Sequence, residues 1–442
     1  MRAVVVALGK IGLPIAAQLA RTGHEVIGCD IDQRVVDLVN AGREPFPGEA
    51  DLQAILDDVV GRGLLRATTD TAAAVATGPD LVIAVPPLMV DADAKPDWAI
   101  LDAVLADIAR GLSRIPPHGR EGATTTVSIE TTVPVGTTRT RVAPALQTGS
   151  GLEPGTDFHV VFSPERVFSG RVFRDLATYP KLVGGLDDDG EARGVALYEQ
   201  FLPGVEVRAM GGAEAAELTK LVETTYRDVN IALANEFACH ADALGLDVQR
   251  VIDAANSQPF SHVHRPGVAV GGHCIPVYPR FYLAGDPEAQ LPAAARAVNE
   301  AMPAYAVSLL GDEILTAGGR VLILGVAYRG GVKETAFSGA YGLRDALLAV
   351  GMHPLAADPL YDADELAALG FVPWDGGSPV DAVIVQADHA QYAQLTPDDL
   401  PGARVVVDGR GIVADDAPFA AAGVPVRRIG GPCPPGRPDR RA

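Results

Sequence analysis

"MRAVVVALGKIGLPIAAQLARTGHEVIGCDID", residues 1–32, reads as strand, glycine turn, helix and strand. The β-branched run at 3–6 predicts a buried strand, Ile15, Leu19 and Ala20 recur at helical spacing, and "EVIGCD" predicts the next strand. Between them stands Ala7-Leu8-Gly9-Lys10-Ile11-Gly12, a G-x-G-x-x-G turn whose first glycine is alanine. Gly9 lets the backbone of Lys10 and Ile11 approach a pyrophosphate, and Gly12 lets helix and strand touch. Asp30, 18 residues after Gly12, is placed to accept from ribose hydroxyls, which favours NAD over NADP. Ala7 is tolerable in the turn as long as its φ is negative.

Strands are predicted again at 80–86, 124–134 and 158–166, the rhythm of a doubly wound sheet. Ligands gather beyond the carboxyl ends of such strands, so Val85-Pro86, Glu130-Thr131-Thr132 and Ser163-Pro164-Glu165 are expected to face one crevice. Residues 213–244 contain neither glycine nor proline and predict one helix of about 48 Å. Its apolar residues, Leu218, Leu221, Val222, Val229, Ile231 and Leu233, occupy more than one face, which suits burial between domains or in a homodimer. The α/β pattern restarts at 319–331 without the G-x-G-x-x-G turn. The expected architecture is therefore α/β, two Rossmann-like doubly wound domains joined by a long central helix. The boundaries are 1–205 for an NAD-binding domain, 206–302 for a central helical dimerisation region, 303–430 for a second Rossmann-like domain and 431–442 for a disordered tail.

The 442 residues carry a formal charge of −20, which disfavours nucleic acid and anionic membranes as partners. No apolar run approaches the ~20 residues of a membrane span. The four cysteines, Cys29, Cys239, Cys274 and Cys433, show neither metal-ligand nor disulfide spacing, and the expected compartment is the reducing cytoplasm.

Cys274 lies in "GGHCIPVYP", 271–279, a turn where a reactive thiol is more at home than a core cysteine. A thiolate near a nicotinamide points to capture of an aldehyde, hydride loss to a thioester, and hydrolysis. Lys220, one of five lysines against 31 arginines, is the candidate cation for the oxyanion. Glu165 is the candidate base for the hydrolytic water; its alternative is a salt bridge with Arg166 or another arginine. Thr132 could position that water or touch the nicotinamide.

These stretches resemble a known family. "LGKIGLPIA", "ETTVPVGTTR", "SPERVFSGR", "EAAELTKLVETTYRDVNIALANE", "VGGHCIPVYP" and "LGVAYRGGVKET" occur in the order and spacing of the UDP-glucose/GDP-mannose dehydrogenase family. The resemblance implies NAD-dependent four-electron oxidation of C6 of a UDP-hexose or UDP-N-acetylhexosamine. It implies Cys274 as nucleophile, Lys220 as oxyanion stabiliser, Glu165 as base and Thr132 near the water. It also implies Arg166, Lys220, Thr224, Gly271, Tyr278 and Arg329 at the nucleotide sugar, and a dimer built on the long helix. The chain departs from the family at Tyr278, usually Asp, Thr224, usually Asn, Pro87, usually Thr, and Ala336, often Arg. Those departures keep open two alternatives, a two-electron dehydrogenase stopping at the aldehyde and a nucleotide-sugar-binding protein without turnover.

Overall fold

Strand β1, Arg2–Val6, is buried from Ala3 to Val6 because neighbours cover both faces of a parallel sheet. It pairs in parallel with β2, Glu25–Cys29, and β2 with β3, Leu65–Thr68. On its other side lie β4, Leu81–Ala84, β5, Thr126–Ile129, and β6, His159–Phe162, all parallel. The next strand, β7, Lys181–Gly185, runs antiparallel to β6, and β8, Val207–Ala209, follows β7 in parallel. The order is β8-β7-β6-β5-β4-β1-β2-β3, so the order reverses between β1 and β4, where dinucleotides bind in such sheets. The computed structural model describes residues 1–91, 93–116, 124–168, 170–315 and 319–431. The expected tail, except Gly431, lies outside the described residues, as does Cys433.

The chain divides into two compact units, the first comprising 1–223 with 280–285 and the second 224–279 with 286–442. In the second unit β9, Arg320–Leu324, β10, His353–Ala357, β11, Ala382–Val385, β12, Val406–Asp408, and β13, Val426–Arg428, form a parallel sheet of order β10-β9-β11-β12-β13. This is the flavodoxin-like doubly wound order.

The long helix runs from Ala213 to Leu244 as the missing helix breakers require. Leu221 is fully buried, but Leu218, Val222, Tyr226, Leu233, Phe237 and Leu244 are 39–57% exposed in the single chain. They recur at intervals of four and seven residues, so the exposed apolar residues form a stripe. Near the start of the helix, Glu217 is wholly buried and accepts from Gly136 N at 2.5 Å and from Thr138 N at 2.8 Å. Thr138 Oγ1 donates to it as well, at 2.6 Å. Glu217 thus fastens the segment after Thr132 one helical turn ahead of Lys220.

Ala7 is not in the negative-φ conformation that would make it harmless. Its φ is +74°, and Ala7 N donates to Cys29 O at 2.8 Å, so the turn between β1 and the first helix holds it there. Left-handed backbone costs a non-glycine residue about 1 kcal/mol. Gly12 has no such latitude, because a Cβ there would lie 1.9 Å from Ala7 O. Replacing Ala7 by Gly should therefore raise the unfolding free energy of the first unit by about 0.5–1 kcal/mol. Urea titration would show it, and an unchanged or lowered midpoint would contradict the strain.

Candidate active site

The turn after β1 has the form an anionic ligand needs. The helix Gly12–Arg21 has no side-chain cap at Ile11 and no acidic residue in its first turn, so its positive N-terminus is not neutralised by its own side chains. A Cβ on Gly9 would meet nothing within 4 Å, which leaves room for a phosphate against the backbone. Lys10 is exposed beside it. Asp30 turns toward this turn, its Oδ2 accepting Leu8 N at 2.8 Å and its Oδ1 accepting Asp32 N at 2.9 Å. Val85 N donates to Val6 O at 3.0 Å, and Thr131 Oγ1 donates to Pro86 O at 2.6 Å, which joins the ends of β1, β4 and β5. Thr132 is 5% exposed at the same edge. These residues fit a dinucleotide. Ile31, next to Asp30, is 97% exposed, an apolar surface that the sequence pattern did not single out.

The antiparallel direction of β7 brings an unforeseen residue to this edge. Phe162 stands opposite Gly184 and Val161 opposite Gly185, so the same register continued past β6 sets Glu165 opposite Lys181. Lys181 Nζ donates to Glu165 Oε2 at 3.3 Å and to Glu130 Oε2 at 2.7 Å. The other oxygen of Glu165 accepts Arg166 N at 2.5 Å and Val167 N at 3.0 Å. Lys220, 8% exposed, donates from Nζ to the backbone O of Glu165 at 2.5 Å. Arg166 does not pair with Glu165; its guanidinium meets Glu223 and Pro180 O. Tyr198 donates its hydroxyl to Glu130 Oε1, and Ser128 Oγ lies 2.7 Å from that hydroxyl.

Two acids sharing one ammonium are pushed apart. Burial drives Glu130 up to about 7, with Lys181 only partly opposing it and Glu165 adding to the rise. Burial also pushes Glu165 up, but Lys181, the Arg166 amide and Lys220 outweigh it and hold Glu165 below the ordinary carboxylate range. Lys181 itself stays protonated, since the two carboxylates outweigh its desolvation.

In the second unit, Cys274 is exposed, whereas Cys29 in the first unit is buried and its thiol pushed up to about 12 by desolvation. The turn around Cys274 explains its glycines. Gly272 has φ +89° and donates its N–H to Ala336 O at 2.8 Å. A Cβ on Gly271 would lie 2.6 Å from Tyr328 Cβ, so only glycine lets this loop lie against residues 328–337. Cys274 O accepts Val277 N at 3.2 Å and Tyr278 N at 2.9 Å, the tight turn that starts the helix Tyr278–Gly285. Tyr278 is half-buried, and the Arg329 guanidinium lies 5.8 Å from the centre of the Tyr328 ring. Thr224, on the long helix, is 3% exposed. Of the expected chemical residues, Glu165, Lys220, Arg166 and Thr132 belong to the first unit, and Cys274, Gly271, Tyr278, Thr224 and Arg329 to the second.

Residues 1–202 match the NAD binding domain of the UDP-glucose/GDP-mannose dehydrogenase family, 214–301 its central domain and 322–415 its UDP binding domain. The chain belongs to that family. It is an NAD-dependent nucleotide-sugar dehydrogenase. It is 32% identical over 428 residues to the UDP-N-acetyl-D-mannosamine dehydrogenase of Pyrococcus horikoshii, covering 94% of this chain and 96% of that one. It is 34% identical over 432 residues to an NDP-N-acetyl-D-galactosaminuronic acid dehydrogenase of Ralstonia nicotianae, covering 92% and 95%. Among solved structures, the UDP-D-ManNAc dehydrogenase of Pyrococcus horikoshii superposes with a TM-score of 0.84 at 31% identity, over 97% of this chain and 99% of that one. Among the described residues no helix is long and apolar enough to cross a membrane.

The displaced acidity of Glu130 fixes a pH dependence. Its pKa is raised from 4.5 to about 7, so within that window only the folded state holds the proton and stability falls as pH rises. Below the window both states are protonated, and above it both are ionised. Glu130→Gln lacks this loss. Its unfolding free energy, set against that of the parent protein, should therefore improve between pH 5 and pH 7.5, measured by urea titration at both values. A gap that stays constant or shrinks would contradict the assignment.

Proposed function

We propose that this dehydrogenase oxidises C6 of a UDP-N-acetylhexosamine to the uronic acid in two NAD-dependent steps through a covalent thioester on Cys274. The sugar class is supported by the relatives named above, which act on N-acetylated nucleotide sugars. The observation that carries the covalent route is the exposed thiol of Cys274 in a turn that glycines hold against residues 328–337. Those residues lie within the match to the UDP binding domain.

NAD would supply the hydride acceptor, one molecule for each of the two oxidations. Gly9, Lys10, Ile11 and Gly12 would hold its pyrophosphate and Asp30 its ribose hydroxyls, and Val85, Pro86 and Thr132 would border the nicotinamide end. Ile31 would offer the adenine an apolar face. In the first oxidation C6 gives up a hydride and its hydroxyl a proton, which passes to solvent, and the aldehyde is left. The Cys274 sulfur then adds to the aldehyde carbon, and the developing oxyanion is met by the Lys220 ammonium. Loss of the second hydride leaves a thioester. Water attacks its carbonyl carbon as Glu165 takes a proton from that water, the C–S bond breaks, and sulfur leaves as the thiolate. Arg166, Thr224, Gly271, Tyr278 and Arg329 contact the nucleotide sugar. Domain boundaries at 1–205, 206–302 and 303–430 and a cytoplasmic setting belong to the same reading.

The exposed stripe on the long helix supports a homodimer, because solvated apolar residues repeating along one helix face are what a second copy would cover. Sedimentation at micromolar concentration should give a dimer; a monomer would overturn it.

The parent protein with a panel of UDP-N-acetylhexosamines should release two NADH per uronic acid. Cys274→Ser should lose acid formation more than about a thousandfold, while UDP affinity by calorimetry stays within about twofold. Acid formed by that variant at the parental rate would overturn the covalent route. One NADH with free aldehyde would instead favour the two-electron reading, with Tyr278 and Thr224 as the altered partners.

A further inference from the structure

The Lys181 cluster holds more charge than a strand-end anchor requires. Side chains of Glu130, Lys181 and Glu165 are 0%, 7% and 11% exposed. One carboxylate would neutralise a buried lysine; here two converge on a single Nζ, and their mutual repulsion favours uptake of a proton by the less well supported of the two. Their remaining partners differ. Glu165 is faced by Lys181 from β7, Glu130 from the end of β5, Lys220 from the long helix and two amides of its own loop. Glu130 is faced by Lys181, by Glu165 and by the Tyr198 hydroxyl from the helix Asp188–Phe201, with Ser128 behind it. The Tyr198 ring centre lies 5.1 Å from Lys181 Nζ. Nearby Arg166 is engaged with Glu223, and Asp175, from the helix Val172–Thr178, accepts Phe168 N and Arg171 Nε at 3.0 and 3.1 Å.

We propose that Lys181 and Glu130 are positioning residues for thioester hydrolysis: Lys181 keeps Glu165 ionised and aims its Oε2, and Glu130 takes the first proton that the cluster binds. This rests on the reading of Glu165 as the hydrolytic base. The asymmetry of partners carries it, since Glu165 has two lysines and two amides around it whereas Glu130 has one lysine and a hydroxyl. The displaced acidities of the two carboxylates agree with it. A carboxylate whose pKa is held down acts as a base above that pKa and fails as pH falls through it, so removing Lys181 must move the failure to higher pH. No electron changes hands in this step. The proton taken from water returns to the departing thiolate or to solvent, and the cluster regains its starting charge.

The test is the pH profile of kcat, with NADH bursts followed by rapid mixing, using whichever UDP-N-acetylhexosamine the parent enzyme turns over. Lys181→Met should raise the acid limb by at least about one pH unit, a tenfold loss at a pH just below the new limb. It should also show a burst of two NADH per site before a slow steady state, because both hydride transfers precede hydrolysis. Lys181→Arg retains the cation and should keep the limb within about 0.3 unit of the parent. Glu130→Gln/Lys181→Met removes the repelling acid with the cation, and its limb should fall between the parent and Lys181→Met. A folded Lys181→Met with an unmoved limb and no burst overturns the proposal, as does a Lys181→Arg limb displaced as far. Should Lys181→Met fail to fold, a double-variant limb coinciding with that of the parent overturns it, and a raised one supports it. A parent enzyme that makes no NADH sinks the function on which the proposal rests. One that makes two NADH while Lys181→Met hydrolyses unchanged sinks this proposal alone.

Discussion

Two carboxylates buried at neighbouring strand ends repel unless one takes a proton or a cation comes between them, and here the cation arrives because β7 runs against β6. In an all-parallel sheet the first residue of a strand lies at the opposite edge from its neighbour's last. Reversal puts Lys181, the first residue of β7, at the carboxyl edge beside Glu130 and Glu165. The same edge carries the glycine turn after β1 and the Val85 segment after β4. The reversal at β7 therefore lets a nucleotide crevice also contain an acid-base cluster.

The backbone around this edge is held by buried side chains. Glu217 fixes the segment after Thr132 to the long helix, with burial pushing its pKa up and three donors from Gly136 and Thr138 opposing that rise. Gly12 must press on the carbonyl of Ala7, and Ala7 in turn holds a left-handed conformation. In the second unit, Gly271 and Gly272 give up side chains so that the Cys274 loop can lie against Tyr328 and Phe337. Strain and missing side chains thus collect where ligands are expected to approach, as functional sites commonly require.

Much of this was legible in the sequence because its signals are local. The alternation of strand and helix in residues 1–32, and a helix of 32 residues with no breaker, each announce themselves within a short window. The direction of β7 does not, since parallel and antiparallel pairing depend on a partner elsewhere in the chain, and so Lys181 was missed. A signal is present, because Lys181 is one of only five lysines, the same rarity that singles out Lys220. Glu130 was placed at the correct edge, but its burial under Tyr198 depends on a helix nearly seventy residues away. Ala7 does not meet the condition of a negative φ under which it would be tolerable, since the turn's geometry, and not the residue, sets that angle.

The proposed chemistry depends on a carbon–sulfur bond forming at Cys274 and being cut by water that Glu165 activates. Intact-protein mass spectrometry after millisecond acid quench of Glu165→Gln with NAD and a substrate UDP-sugar tests this most directly. The account predicts that the protein gains the mass of the uronyl nucleotide acyl group, mapped by peptide analysis to Cys274, and keeps it for many parental turnovers. An unmodified Cys274 while acid still accumulates would contradict it.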